Sequence, residues 1–310
     1  MKRKHFIQSL GATAVGTALL PQTLAGNPDS SKPPKGKKSA EYTVPQGADV
    51  SNAPHNEKYW GAVASNFIRP EGFINLENGY FSHQPQGTLR YHKDAETTIN
   101  TQTSHFMRTA QTQAIEAARI AFAGFQGLIP EEVAFTRNTT ESLNIIIMGT
   151  QWQAGDEVII GDQDYGSMVE AFQQAVARWF IRLKVAEVPV HPNSDTEIIR
   201  AYTSLITPRT KMLHLTHMIN LTGQLIPVAA IAREAKKINP NIFVVVDAAH
   251  SLAHTPMDMS ELRNAGIDAI EGGHPVGKRA LLDDCRDLRL DGGTGLAGCP
   301  AALHEFGAAC

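Results

Sequence analysis

Asp247 closes the run FVVVDAAH, residues 243–250, in which a phenylalanine and three valines precede the acid. Four aromatic or β-branched residues in a row predict a strand buried on both faces. In an open parallel sheet, ligands sit outside the carboxyl ends of the strands. A carboxylate delivered there is placed to meet a cationic ring nitrogen; the same acid is equally suited to cap the turn that follows. Thr139 and Thr140, in TRNTTESLN, stand at the start of a predicted helix. Backbone N–H groups at a helix N-terminus attract a phosphate dianion, and hydroxyls add donors. Taken alone, Asn138 or Thr139 is also an ordinary N-cap. Tyr165, in DQDYGS, offers a ring that stacks on a planar ligand or closes the edge of the sheet.

The elements that must position these residues alternate in type. Helices are predicted over 110–125, from about Thr140, and over 168–180, 196–205 and 229–238, from apolar spacing and from stops at Gly127, Pro130, Pro208 and Asn239-Pro240. Strands are predicted over 73–76, 133–135, 157–160, 183–188, 211–215 and 243–247. Such alternation argues for an α/β fold with a doubly wound, mostly parallel sheet.

Four blocks in order, TRNTTESLN, DQDYGS, HMINLTGQLIPV and VVVDAAHS, resemble the class V aminotransferase family of fold type I enzymes. INLENGYFSHQP and the DYG triplet are similar to the isopenicillin N epimerase-like branch, and the likeness runs from about residue 72 to 268. The resemblance implies pyridoxal 5′-phosphate (PLP) as cofactor and a small amino-acid substrate. It implies that Thr139 and Thr140 hold the phosphate, Tyr165 stacks, and Asn220 hydrogen-bonds the ring oxygen. It further implies that Asp247 meets the ring nitrogen, with His250 orienting the ring or Asp247, and that Asn78, in the turn Glu77-Asn78-Gly79, touches substrate.

The pattern breaks after about residue 270. The family carries a His-Lys pair whose lysine holds the cofactor covalently. Here Gly266-Ile267-Asp268-Ala269 fits the start of that block, but the pair is absent. Lys278 is the one lysine after Asp247 and lies about two residues late, so it is the candidate catalytic lysine by default. From Glu271 onward the chain holds no Ser, Asn, Gln, Tyr, Trp or Met, and all three cysteines, Cys285, Cys299 and Cys310, fall there. The expectation is a chain that leaves its reading frame near Ile270 and stops early. The last strand of the family's sheet and its C-terminal small domain would be missing, and an unpaired edge would lie beside Asp247. The other reading is a divergent ending in which Lys278 reaches the cofactor. A short helix over 278–290 is the sole periodicity there.

Four segments follow. Residues 1–26 read as an export signal: Lys2, Arg3, Lys4 and His5, then an apolar stretch over 11–20, then Thr23-Leu24-Ala25. RKHFIQSL resembles a twin-arginine signal with Lys4 in place of the second arginine, so a periplasmic location is expected, or a cytoplasmic one if the signal is silent. Residues 27–56 read as a flexible linker, 57–270 as the PLP-binding large domain, and 271–310 as an aberrant tail.

With 28 basic and 31 acidic residues and a net charge of −3, the chain has no nucleic-acid footprint, and no apolar run is long enough to span a bilayer. The family resemblance implies a homodimer, which the altered tail opposes. Against PLP-dependent amino-acid chemistry stand two alternatives. One is a non-catalytic fragment that binds PLP weakly or not at all. The other is a metal site from His214, His217, His250, His254 and His274, although no HExxH pattern accompanies them and no metal is expected. A dinucleotide-binding reading lacks its GxGxxG.

Overall fold

In the computed structural model, residues 56–76, 83–252 and 254–272 are described, with the backbone of 275–277. The export segment, the linker apart from Asn56, Asn78, His274, Lys278 and the helix expected over 278–290 lie outside the described residues.

Eight helices and six strands are named here: α1 Glu57–Ala64, α2 Gln86–Thr109, α3 Gln111–Gln126, α4 Thr139–Gly149, β1 Glu157–Gly161, α5 Gly166–Trp179, β2 Arg182–Ala186, α6 Asp195–Thr203, β3 Thr210–Thr216, α7 Val228–Ile238, β4 Phe243–Asp247, α8 Met259–Asn264, β5 Ala269–Glu271 and β6 Pro275–Gly277. They form one sheet in the order β2-β1-β3-β4-β5-β6. Pairing is parallel from β2 through β5 and antiparallel between β5 and β6.

Alternation along the buried strands sends side chains to two layers. Val158 and Ile160 of β1, Met212 of β3, Val245 of β4 and Ala269 of β5 pack with Leu143 and Ile147 of α4 and with Met168, Phe172 and Ala175 of α5. Ile159, Leu213, Leu215, Val244 and Val246 face the other way, onto Ile198 and Tyr202 of α6, Ile231 and Ala235 of α7 and Leu262 of α8. Helices therefore cover both faces, as a near-continuous apolar β4 requires. Ile159 is fully buried, and truncating it to Ala would cost about 2–5 kcal/mol. α3 stops where Gly127, at φ 68°, takes the left-handed conformation of a C-cap.

Three expectations are corrected. The segment 73–76 is irregular, with Phe73, Ile74 and Leu76 exposed. Of 133–135 only Val133 makes a bridge, since the turn Pro130–Glu132 and the helix at Thr139 leave too little extended chain for a strand. The edge beside Asp247 is paired: β5 lies parallel to β4, matching Asp247 with Glu271, and β6 pairs with β5 in turn. Three-residue strands carry too little periodicity to be read from sequence. α2 was not anticipated either; none of its residues is buried.

Candidate functional site

β4 ends at Asp247, whose side chain projects to the α4/α5 face by the same alternation that buries Val245 there. Asp247 is buried, at 5% exposure. Its Oδ1 accepts from the Ala249 N–H at 2.9 Å, and its carbonyl accepts from the His217 N–H at 2.8 Å. Oδ2 takes no hydrogen bond among the described residues. Burial holds the carboxyl above its ordinary value, while the cation of His214 and the Ala249 N–H pull the other way. An acid held this way is stabilised by any cationic donor that reaches it.

The register of the sheet puts Thr216, Asp247 and Glu271 side by side across β3, β4 and β5. Two positions earlier on β3, on the same face, is His214, fully buried. Its Nδ1 lies 2.7 Å from Asp164 Oδ2, and its ring meets Phe172 of α5 edge-on at 5.4 Å. Asp164 sits in the loop after β1 and is also buried. Oδ2 accepts from the Gly161 N–H at 3.1 Å, and Oδ1 accepts from the Thr216 hydroxyl at 2.7 Å. A Cβ at Gly161 would fall 2.6 Å from the Tyr202 hydroxyl and 3.0 Å from Asp164 Oδ1, so this close approach requires glycine.

The next residue, Tyr165, caps the start of α5 in extended conformation and is 45% exposed. Its ring is thus offered to solvent from a loop fixed by Asp164. Helix α4 packs on this same face. Its N-cap is Asn138, whose side chain accepts from the Glu141 N–H at 2.9 Å. Thr139 is half-buried and Thr140 exposed at the first turn. The amides of an initial turn have no partner within the helix. Glu141 in that turn is held below its ordinary value by hydrogen bonds from the Arg137 side chain and backbone.

His250 is half-buried in the turn after β4, and its positive charge when protonated favours the Asp247 carboxylate. Asn220 is exposed in a turn closed by Gly223 N–H to Ile219 C=O at 2.8 Å. Asp247 and His250 thus stand at and after the carboxyl end of β4, Tyr165 follows that of β1, and α4 packs on the face to which Asp247 projects. Asn220 makes no hydrogen bond to them among the described residues.

A carboxylate with an unengaged oxygen, an outward ring and a helix N-terminus on one face form a donor set suited to a planar, phosphorylated, protonated heterocycle. The histidines have other partners: His217 Nδ1 lies 2.9 Å from the Ser251 hydroxyl, and His254 Nδ1 lies 2.6 Å from the His250 carbonyl. Among the described residues no group of three His, Cys, Asp or Glu is placed to hold a metal ion. No described helix is long and apolar enough to cross a membrane.

Sequence reasoning missed the Asp164–His214–Thr216 cluster as part of this site. The signal was present as a histidine inside the otherwise apolar stretch of β3, where a buried polar group must have a partner.

A family model described as aminotransferase class-V matches residues 85–274. The isopenicillin N epimerase of Amycolatopsis lactamdurans is 30% identical over 148 residues, 47% of this chain and 37% of that protein. A cysteine desulfurase of Cronobacter sakazakii is 30% identical over 203 residues, 64% of this chain and 46% of that protein. The chain thus spans half or less of the length of these two relatives. Among solved structures, a C-DES variant with glycine covalently linked to its PLP cofactor superposes with a TM-score of 0.63 at 20% identity, covering 71% of this chain and 60% of that one. At that identity the likeness speaks for the fold.

Proposed function

The chain belongs to the aminotransferase class-V family, and on that premise we propose that it is a PLP-dependent enzyme acting on a small amino acid, by transamination or epimerisation. Pyridoxal 5′-phosphate is the cofactor this site takes. When bound, it supplies a protonated ring that draws electron density from the substrate's Cα.

The observation that carries the reading is Asp247, buried at the end of β4 with one oxygen tied to Ala249 and the other unengaged among the described residues. Asp247 holds a proton on the ring nitrogen, because a nearby opposite charge raises the pKa of a cation. Tyr165 covers the ring and fixes its plane. The amides and hydroxyls of Thr139 and Thr140 bind the phosphate. Asn220 donates its amide to the ring oxygen, and His250 orients the ring or Asp247. Asn78 contacts substrate. Lys278 is the lysine left to move the Cα proton, a role worth about 10²–10⁴-fold in rate.

The missing His-Lys pair supports a narrower statement: cofactor is held without covalent attachment, and turnover is impaired in the chain as it stands. Export directed by residues 1–26 is part of the proposal. Export is tested by sequencing the N-terminus of the native protein: a chain intact at Met1 and retained in the cytosol overturns it.

The central test adds PLP to the full chain, reads its absorbance, treats with borohydride and maps labelled lysines by mass spectrometry. Saturable absorbance that is lost in Asp247→Asn supports the reading, and no binding by the wild-type chain overturns it. A stoichiometric label on Lys278 overturns impairment.

A further inference from the structure

The fully buried imidazole of His214 has a partner on one side only. Nδ1 meets Asp164 at 2.7 Å, whereas Nε2 is buried without a hydrogen bond among the described residues. A lone imidazole nitrogen in a core is costly whether protonated or not. Three carboxylates act on it by charge. Asp164, in the loop after β1, is in hydrogen-bond contact; Asp247 of β4 and Glu271 of β5 stand in register with Thr216, on the sheet face His214 shares, and α5 sets the ring of Phe172 against it. All three carboxylates belong to buried residues. No other described histidine has this setting: burial pushes His217 below its ordinary value, with a serine as its partner.

The two neighbours of His214 have different jobs in the proposed site. Asp164 immediately precedes Tyr165 and locks that loop through Gly161, Thr216 and His214. Asp247 is the residue assigned to the ring nitrogen. We propose that His214 is a positioning residue: a buried imidazole that anchors the Tyr165 loop through Asp164 and, from the same face of the neighbouring strand, supplies a positive charge that favours the Asp247 carboxylate at the cofactor ring. The inference rests on the reading of Asp247 as the ring-nitrogen partner.

Burial disfavours the His214 cation, but the charge and hydrogen bond of Asp164, then Asp247 and Glu271, outweigh it and hold its pKa above the ordinary imidazole value. In return, the cation opposes the upward push that burial gives Asp247. With His214 neutral, Asp247 would ionise only at higher pH, and a neutral acid holds no proton on the ring nitrogen.

The test uses the full chain with ¹⁵N-labelled histidine, and PLP as probe. In the wild-type protein without PLP, one imidazole is expected to stay doubly protonated through neutral pH. Its signal should be absent from His214→Gln and shifted in Asp247→Asn. His214→Gln keeps a donor for Asp164 but no charge. It is expected to melt near wild type, to weaken PLP binding several-fold at neutral pH, and to recover affinity as pH rises, because loss of the cation leaves the upward push of burial on Asp247 less opposed.

A neutral His214 between pH 5 and 8, or a PLP-affinity profile in His214→Gln that overlays wild type, overturns the proposal. If His214→Gln fails to fold, the wild-type imidazole signal and its shift in Asp247→Asn decide alone. Absence of PLP binding by wild type would overturn the assignment of the cofactor, a result distinct from a neutral His214.

Discussion

The hydroxyl of Thr216 donates to Asp164 Oδ1 over 2.7 Å, tying the last residue of β3 to a loop 52 residues earlier. That bond fixes the residue preceding Tyr165 against the strand that pairs with β4. Thr216→Val keeps the shape and removes the donor. It should destabilise the chain by about 1–3 kcal/mol, because Asp164 loses a partner in a buried place. PLP affinity should fall as well, since the Tyr165 loop is freed. Thermal melts and PLP titration check both; unchanged affinity despite a lower melting temperature would confine the bond to folding.

Asp247→Asn should abolish PLP binding without destabilising the cofactor-free chain. Burial holds the Asp247 carboxyl above its ordinary value in the fold. Its ionisation therefore opposes folding: the penalty grows as pH rises from the ordinary carboxylate value through the folded one, and is complete above it. Near pH 7 the variant should melt no lower than wild type, and this relative gain should vanish in acid. A marked loss of melting temperature at pH 7 would contradict this.

The α4 terminus separates capping from phosphate binding. Asn138 provides the cap, so Asn138→Ala should cost about 1 kcal/mol in stability. Replacing Thr139 and Thr140 with Ala should leave stability nearly unchanged and weaken PLP at least about tenfold, as expected for lost hydrogen bonds to a charged group. Denaturant titration with and without PLP distinguishes the two effects.

At the opposite end of the sheet, Glu157 is buried with Lys184 Nζ at 2.7 Å and the Thr207 hydroxyl at 2.5 Å. Burial pushes the carboxyl up, but Lys184, Thr207 and Thr210 outweigh it and hold it below the ordinary value. The stability this gives is present above the ordinary carboxylate value and is lost as pH falls through the folded one. Lys184→Met leaves a buried carboxylate without its cation and should cost about 3 kcal/mol near neutrality. The cost should shrink in acid as Glu157 takes a proton. A pH series of denaturant midpoints reads both.

Much of the fold was legible in the chain because its signals are local. The FVVVD run of β4, the periodicity of α5 and α7, a cap at Asn138 or Thr139 and the stop at Gly127 each depend on residues within a few positions of one another. These are the intervals over which period and capping act. β5 was too short to show a period, and α2 buries nothing that would mark a face.

The sequence by itself determined which residues could meet a phosphate, a ring and a ring nitrogen, because Thr139, Tyr165 and Asp247 each stand at the end of a strand or the start of a helix. Tertiary structure alone decided what lies beneath them. Asp164, His214, Asp247 and Glu271 occupy four separate segments, and only parallel pairing of β1, β3, β4 and β5 brings their side chains onto one buried face. Charge interactions depend on distance through the fold and on exclusion of water, neither of which is fixed by separation along the chain.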